Sequence, residues 1–335
     1  MYDKFALFNL LQMIIKIVSA IIIVVLLGTV AYFYFVYSPL PQEPQLSGKI
    51  HQDKINVSNH DRTYLTYIPK KLSPKPGLLI AMHGTGMDAV RMRQWTGYEL
   101  DSQADQYGFM VIYPDGYKGN WNDCRTNSPF EAKKENIDDV GFIQNLINKY
   151  EQEQQIDPAK VFVFGFSNGG QMAMRLAMER PNLITAICAI SANLPTPETC
   201  SCSSEGPTSK IMLVTGTEDS INPYQGGAVT LFGLKKVGTA ISAKATAEQF
   251  VERNGITAGP ETISLPSQRT SDPTFVQREC WRLSGKAVVE LYTINGGGHV
   301  IPQPKFRFPR LMGKTTGNFN APLEAVKFFG LTESF

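Results

Sequence analysis

The longest apolar stretch of the chain lies close to its N-terminus. Residues 17–37 contain no charged side chain, and most of them are Ile, Val, Leu, Phe or Tyr. A helix of this length is about 30 Å long, which matches the thickness of a bilayer core. Soluble helices are seldom apolar on every face over such a length, so the pattern favours a membrane-spanning helix over a buried core helix.

A cleaved signal peptide is the alternative interpretation of this stretch. The apolar core of a signal peptide usually spans about 7–15 residues and ends at a small-x-small site. Here the run is longer and ends in the bulky aromatic segment 31–37, whose composition is typical of a membrane interface. Lys16 directly precedes the run, which favours a cytoplasmic N-terminus. The rest of the chain would then lie in the periplasm or outside the cell, anchored or, after cleavage, secreted.

The pattern divides the chain into four segments. These are a short cytoplasmic N-terminus at 1–16, a transmembrane anchor at 17–37, a Pro-rich spacer at 38–54 and a globular domain at 55–335. The Pro-rich composition of the spacer is typical of a semi-rigid connection.

Within the globular segment, short apolar runs alternate with helical patterns. The predicted strands are 64–69, 78–82, 109–113, 161–164, 184–190, 211–214 and 288–293, and the predicted helices are 138–155, 171–179, 242–254 and 322–329. Apolar strands separated by helices indicate an α/β fold, with a mainly parallel sheet covered by helices on both faces. Segments 195–209, 257–279 and 302–320 are rich in Pro, Ser and Thr and are predicted to be surface loops.

Composition and charge narrow the possible function classes. The chain has 335 residues, of which 43% are hydrophobic, and this is the composition of a globular protein rather than a disordered one. The 32 Lys and Arg residues nearly balance 30 Asp and Glu residues, giving a net charge of +2. Nucleic-acid-binding proteins usually carry a basic surplus, so a nucleic-acid partner is not predicted.

The cysteines leave the disulfide pairing open and predict no metal site. They number five, so at least one is unpaired within the chain: Cys124, Cys188, Cys200, Cys202 and Cys280. Cys188 lies in an apolar run and is expected to be a buried thiol, while pairing among the others stays open. Cys200 and Cys202, with four scattered histidines, make a poor zinc site.

The strongest chemical motif is the segment Gly165–Gly170. It contains the pattern Gly-x-Ser-x-Gly, follows the predicted strand 161–164 and precedes a predicted helix. This is the context of a nucleophile elbow, a tight turn that lifts the hydroxyl of Ser167 clear of the sheet. A glycine-rich turn with a bystander serine is the alternative.

A serine hydroxyl needs a base, and the base needs an acid that orients it. His299 follows three glycines directly after the strand 288–293, and Asp219 ends a loop after the strand 211–214. A surface histidine in a turn is the alternative for His299, and Glu218 competes with its neighbour as the acid. The order Ser167, Asp219, His299 is that of the α/β-hydrolases.

A third element of such a site is an oxyanion hole. The strand 78–82 leads into the loop 83–86, and in this fold that loop donates one backbone N–H while the residue after the nucleophile donates another. We predict that Thr85 and Asn168 are these donors. His83 is expected to shape the loop rather than act as a base.

From about residue 55 onward, the chain resembles the secreted polyhydroxybutyrate depolymerase and feruloyl esterase group of α/β-hydrolases. The matching stretches are 62–69, 82–84, 107–116, 121–122, 138–142, 165–170, 216–219 with 223–224, and 296–299. The resemblance implies a serine carboxylic-ester hydrolase that uses the triad Ser167, Asp219 and His299, with Asp219 rather than Glu218 as the acid. We expect this chemistry to require no metal or organic cofactor.

The chain departs from this group in two places. The group usually has Thr-Trp-Pro after the histidine, where this chain has Val300, Ile301 and Pro302, so an aromatic wall is missing. Ile256 stands where the group often has a cysteine, so a bridge from there to Cys280 cannot form. We expect Trp121 and Ile301 to contact substrate.

The expected substrates are short hydroxyacyl, acyl or aryl-acid esters, as small molecules or oligomers rather than crystalline polymer. Two other functions stay open. One is a serine peptidase on the same fold, and the other is a non-catalytic binding protein tethered to the membrane.

Overall fold

The computed structural model describes residues 2–202, 205–266 and 271–332. In these ranges the strands are β1 (Lys49–Val57), β2 (His60–Ile68), β3 (Leu78–Met82), β4 (Met110–Pro114), β5 (Val161–Phe166), β6 (Ala186–Ile190), β7 (Lys210–Gly216), β8 (Gly227–Leu231), β9 (Lys235–Ala240), β10 (Glu261–Ser264), β11 (Phe275–Leu283) and β12 (Lys286–Asn295). The helices are α1 (Tyr2–Ala31), α2 (Ala89–Trp95), α3 (Glu99–Tyr107), α4 (Glu131–Lys134), α5 (Asp139–Gln154), α6 (Asn168–Glu179), α7 (Ala243–Arg253) and α8 (Ala321–Phe328).

Most strands join one mainly parallel sheet in the order β1-β2-β4-β3-β5-β6-β7-β12-β11-β10. In this spatial order, the neighbouring strands β4, β3, β5, β6, β7 and β12 are parallel to one another. The two strands at each edge of the sheet pair antiparallel. Strands β3, β4, β5 and β6 are buried at every position, as expected for strands covered on both faces. The α/β fold predicted from the sequence is confirmed.

The core consists of two apolar layers, one on each face of the sheet. One layer contains side chains of α5, α6 and α7, such as Phe142, Met172 and Phe250. The other contains side chains of α3 and α8, such as Leu100 and Ala325. Local sequence fixes where helices begin: the side chains of Asp88, Asp138, Ser242 and Asn320 each accept an N-terminal backbone N–H of the helix that follows.

The sheet begins earlier in the chain than the sequence pattern predicts. Strand β1 starts at Lys49, inside the range 38–54 predicted as a spacer, and pairs along its whole length with β2. Most of its side chains are exposed, so it lacks the apolar signal of a core strand. The segment 257–279, predicted to be a loop, likewise contains β10 and the start of β11. The sequence pattern misses β10 because it is an exposed edge strand with no apolar signal.

The apolar N-terminal segment is one long helix. Lys4–Val36 is long and apolar enough to cross a membrane, and none of its most apolar window is buried in the protein. The helix therefore also includes residues 4–16, predicted as a separate N-terminal segment, because residues 5–15 are mostly apolar and continue it. Its last turn is a π-helix at Tyr32–Val36. By length and composition it could be a membrane anchor or a signal sequence.

Candidate active site

Ser167 lies in a sharp turn between the central strand β5 and helix α6. Its backbone has φ 54° and ψ −119°, a strained conformation for a residue with a side chain. The flanking glycines make the turn possible. A Cβ on Gly165 would lie 2.3 Å from the carbonyl oxygen of Gly169, and a Cβ on Gly169 would lie 2.3 Å from that of Met82. The turn is the predicted elbow, and it leaves Ser167 partly exposed above the sheet.

Three predicted residues meet at the carboxyl edge of the parallel strands. His299 Nε2 lies 3.0 Å from Ser167 Oγ, and His299 Nδ1 lies 2.7 Å from Asp219 Oδ2. The other oxygen of Asp219 accepts the backbone N–H groups of Ile221 and Asn222 at 2.9 and 2.8 Å. Asp219 and His299 are 6% and 2% exposed, so the contacts of both side chains are shielded from water.

The parallel pairing of β7 with β12 explains why these side chains meet. Asp219 follows β7 and His299 follows β12, so both leave the sheet at the same edge. The loops touch closely: a Cβ on Gly216 would lie 2.2 Å from the carbonyl oxygen of Gly297. The backbone N–H of His299 donates to the carbonyl oxygen of Met312 at 2.7 Å, which fixes the histidine loop.

Glu218, the competing acid in the sequence, points away from His299. Its side chain is exposed and lies 3.2 Å from Lys314 at the surface. Its backbone N–H donates to the carbonyl oxygen of Gly297, which turns the next residue, Asp219, inward. The geometry therefore joins Asp219, and not Glu218, to the imidazole.

The loop after β3 lies directly against the serine. A Cβ on Gly84 would lie 3.3 Å from the Cβ of Ser167. Among the described residues, the backbone N–H groups of Thr85 and Asn168 donate to no protein acceptor. Both are thus free to bind a ligand oxygen beside the serine.

His83 supports this loop with both of its ring nitrogens. Nδ1 lies 2.8 Å from the carbonyl oxygen of Gly84, and Nε2 accepts the backbone N–H of Gly116 at 2.8 Å. Burial lowers the pKa of His83, so the ring is neutral with its proton on Nδ1. With both nitrogens in use, His83 shapes the loop, as expected.

A buried polar network that the sequence analysis missed holds Asn168. The Asn168 side chain accepts the backbone N–H of Trp121 at 2.8 Å and donates to Asp123 Oδ2 at 2.6 Å. Asp123 in turn pairs with Arg125 at 2.5 Å, with both side chains almost fully buried. Arg125 also donates to the carbonyl oxygen of Val237 at 3.0 Å. The only signal in the sequence is the concentration of polar residues after Trp121.

A disulfide reinforces this network. It joins Cys124, between the two charged residues, to Cys202. Cys188 is free and buried, as predicted, and burial raises the pKa of its thiol. Cys200 and Cys280 are also free. In residues 2–202, 205–266 and 271–332, no group of three or more His, Cys, Asp or Glu side chains is arranged to hold a metal ion.

The predicted substrate contacts at Trp121 and Ile301 are wrong. Both side chains are completely buried. The Trp121 indole N–H donates to the carbonyl oxygen of His83 at 2.9 Å, so this residue supports the loop 83–86. Ile301 belongs to the apolar layer beneath the histidine loop. Burial of these residues depends on how distant loops pack, which a local pattern does not reveal.

A cluster of aromatic rings packs beside His299, and only Trp95 among its members is partly exposed. The Phe166 ring lies 5.1 Å from the His299 ring, centroid to centroid. Trp95, which is partly exposed, lies 6.0 Å from Phe166 and 4.8 Å from Phe308. Phe306 completes the cluster, 4.9 Å from Phe308.

A strained serine after a central parallel strand, with a histidine and a carboxylate from later strand ends, is the arrangement of an α/β-hydrolase. Residues 65–250 match the Phospholipase/Carboxylesterase family, and the chain belongs to that family. It is an enzyme, a carboxylic-ester hydrolase.

Named esterases are among the similar proteins. "Putative esterase NocK" of Nocardia uniformis subsp. tsuyamanensis is 24% identical over 302 residues, which cover 87% of this chain and 86% of that protein. Feruloyl esterase B of Neurospora crassa is 35% identical over 131 residues, 38% of this chain and 42% of that protein. The structure of an acetyl xylan esterase from Aspergillus awamori shares the fold, with a TM-score of 0.59 and 17% identity over 85% of this chain and 100% of that one.

Proposed function

We propose that the chain hydrolyses carboxylic esters through a Ser167-His299-Asp219 triad and an acyl-enzyme. The observation that carries this proposal is the continuous contact from Ser167 Oγ through the imidazole to the Asp219 carboxylate, with distances of 3.0 and 2.7 Å. These are hydrogen-bond distances, as a nucleophile, its base and the orienting acid require.

In this mechanism the proton moves along the same contacts. Ser167 Oγ attacks the ester carbonyl while His299 Nε2 takes the hydroxyl proton. The Asp219 carboxylate stabilises the resulting imidazolium, and the N–H groups of Thr85 and Asn168 hold the oxyanion. His299 then gives the proton to the leaving alcohol, and a water molecule, deprotonated in the same way, hydrolyses the acyl-enzyme.

The proposed substrates are short acyl, hydroxyacyl or aryl-acid esters. Trp95, the partly exposed member of the aromatic cluster beside His299, favours an apolar or aromatic group on the substrate. The names of the similar proteins, a feruloyl esterase and an acetyl xylan esterase, agree with esters of this size.

A fluorophosphonate probe followed by an ester panel tests the proposal. The probe should label the wild-type chain and leave Ser167→Ala unlabelled. The panel compares p-nitrophenyl butyrate, methyl ferulate, a peptide amide and solid polyhydroxybutyrate, and the soluble esters should be hydrolysed fastest. An unlabelled wild-type chain would favour a binding protein, faster cleavage of the amide would favour a peptidase, and rapid clearing of the polymer would favour a depolymerase.

We also propose that the N-terminal helix anchors the enzyme in a membrane, with the hydrolase domain in the periplasm or outside the cell. In this arrangement residues 1–16 are cytoplasmic, residues 17–37 span the bilayer and residues 38–48 form the connection. The hydrolase domain predicted at 55–335 starts at 49, because β1 belongs to its sheet. The exposed apolar surface of the helix supports the anchor. The full chain should resist carbonate extraction. Recovery of a soluble chain processed near residue 38 would favour a cleaved signal sequence.

A further inference from the structure

A cavity of about 780 Å³ lies where the N-terminal helix ends against the hydrolase domain. One wall is the aromatic end of the helix, with Tyr34 and Tyr37, and the opposite wall includes the segment 307–315. The walls are in direct contact. The Arg310 guanidinium lies 4.0 Å from the centroid of the Tyr34 ring, and the Ser38 hydroxyl donates to the carbonyl oxygen of Arg307.

Among the described residues, two cations that line this cavity form no salt bridge with a carboxylate. The charged lining residues are Arg307, Arg310, Lys314, Glu218 and Asp272. Lys314 and Glu218 neutralise each other at 3.2 Å. Asp272 accepts hydrogen bonds from hydroxyl and backbone N–H groups on its own side of the cavity. Among the described residues, neither Arg307 nor Arg310 forms a salt bridge, and both are exposed, so both guanidinium groups remain available to an anion.

The position of the cavity indicates which anion it meets. The aromatic residues at the end of a membrane-spanning helix lie at the level of the lipid headgroups. Because Arg310 packs on the Tyr34 ring, it lies at the same depth. Phosphate groups are the anions concentrated there, and the planar guanidinium binds phosphate through paired hydrogen bonds.

We propose that this cavity binds the headgroup phosphate of an anionic membrane phospholipid, with Arg307 and Arg310 as its ligands. This inference rests on the membrane anchor proposed above. The bound lipid holds the hydrolase domain on the bilayer surface in one orientation, because the two ligands sit on the domain while the lipid stays in the membrane.

The same segment connects the lipid site to the candidate active site. Phe306 and Phe308 are buried and pack on Trp95, while Arg307 and Arg310 are exposed. Phe308 lines the cavity and also belongs to the aromatic cluster beside His299. The lipid site and His299 are thus joined through packed aromatic rings.

Lipid titration of the detergent-purified full chain tests the proposal by native mass spectrometry. The probes are dioleoyl phosphatidylglycerol and, as the neutral lipid, dioleoyl phosphatidylcholine. The variant Arg307→Gln/Arg310→Gln is compared with the wild type and with Lys75→Gln/Lys286→Gln. These two exposed lysines lie at the amino ends of β3 and β12, the edge of the sheet opposite the site. The affinity of the arginine variant for phosphatidylglycerol should be at least about tenfold lower than that of the wild type. The affinity of the lysine variant should equal that of the wild type.

Equal phosphatidylglycerol affinity in the arginine variant and the wild type would overturn the proposal, as would equal binding of the two lipids by the wild type. Inorganic phosphate forms the third arm. If it displaces the lipid at comparable concentration, the site takes a free anion and the membrane assignment is wrong. Wild-type binding should weaken at high salt, a readout that needs no variant. The two proposals can fail separately. If carbonate removes the full chain from membranes but phosphatidylglycerol binding still depends on both arginines, the result contradicts the anchor and supports the headgroup site.

Discussion

The carboxylates of Asp219 and Glu218 are neighbours in the chain but lie in opposite environments. Asp219 is buried against His299, and Glu218 is exposed beside Lys314. In the proposed triad the Asp219 charge orients the histidine and stabilises its imidazolium, so Asp219→Asn should lower kcat by about four orders of magnitude. Glu218→Gln is the matched control and should lower kcat far less. Steady-state hydrolysis of p-nitrophenyl butyrate measures both, and a larger loss in Glu218→Gln would refute the assignment of the acid.

Asp123 contacts Asn168 rather than the proposed reacting groups, so we expect it to act by positioning Asn168. Its carboxylate accepts the Asn168 side-chain N–H at 2.6 Å, and this contact orients the residue whose backbone N–H is proposed to hold the oxyanion. Asp123→Asn should lower kcat by roughly ten- to a hundredfold with little change in KM, because oxyanion stabilisation acts in the transition state. The affinity for a boronic acid inhibitor should fall in parallel.

Arg125→Lys separates this positioning role from general destabilisation. It weakens the bidentate ion pair but keeps the Asp123 carboxylate for Asn168, so it should lower the melting temperature more than it lowers kcat. If both variants lost kcat in proportion to their loss of stability, Asp123 would have only a structural role.

These residues show what the sequence reveals about a site. Ser167 and His299 lie in local motifs at strand ends, and chain order adds Asp219, so the three can be predicted without a structure. Asp123 and Arg125 are held by contacts to Asn168 and Val237, which are distant in the chain. Trp121 failed as a predicted substrate contact for a related reason: an aromatic residue in a loop can face solvent or the core, and only the packing of the whole domain decides.

The Cys124–Cys202 disulfide joins two loop elements 78 residues apart beneath the candidate site. Closing a loop of this length restricts the unfolded chain, which stabilises the fold by about 4.5 kcal/mol in the chain-entropy treatment. Cys124→Ser/Cys202→Ser should therefore lower the melting temperature by several degrees. Cys200→Ser, which removes a partly exposed free thiol, is the control and should leave the melting temperature nearly unchanged. Equal melting temperatures of the double variant and the wild type would contradict a stabilising bridge.

The elements that the sequence predicts well are those buried on both faces. Strands β3, β5 and β6 are continuous apolar runs, because helices cover both sides of the sheet. The strands missed at the sheet edges, β1 and β10, are held mainly by backbone pairing with a neighbour and carry mostly exposed side chains. Their formation depends on a partner strand rather than on their own pattern, so no periodicity marks them.

For the whole molecule, the contacts of residues 38–57 decide where the hydrolase domain begins. Ser47 donates its backbone N–H and hydroxyl to Asp105 at 2.6 and 2.7 Å, and β1 then pairs with β2 along its full length. A truncated chain that starts at Ser38 keeps these contacts and loses the apolar helix. It should be soluble, and its kcat/KM for p-nitrophenyl butyrate should match that of the full chain.

A chain that starts at Ser58 is the informative comparison, because it lacks only the connection and β1. Removing β1 leaves the backbone N–H and C=O groups of β2 unpaired at a new sheet edge and uncovers Tyr64, whose side chain is completely buried. An unpaired edge of this length favours association with other chains, so this shorter chain should aggregate or melt well below the chain that starts at Ser38. Light scattering and thermal melting measure the difference. If both chains were equally soluble and stable, β1 would be dispensable and the hydrolase domain would begin after it.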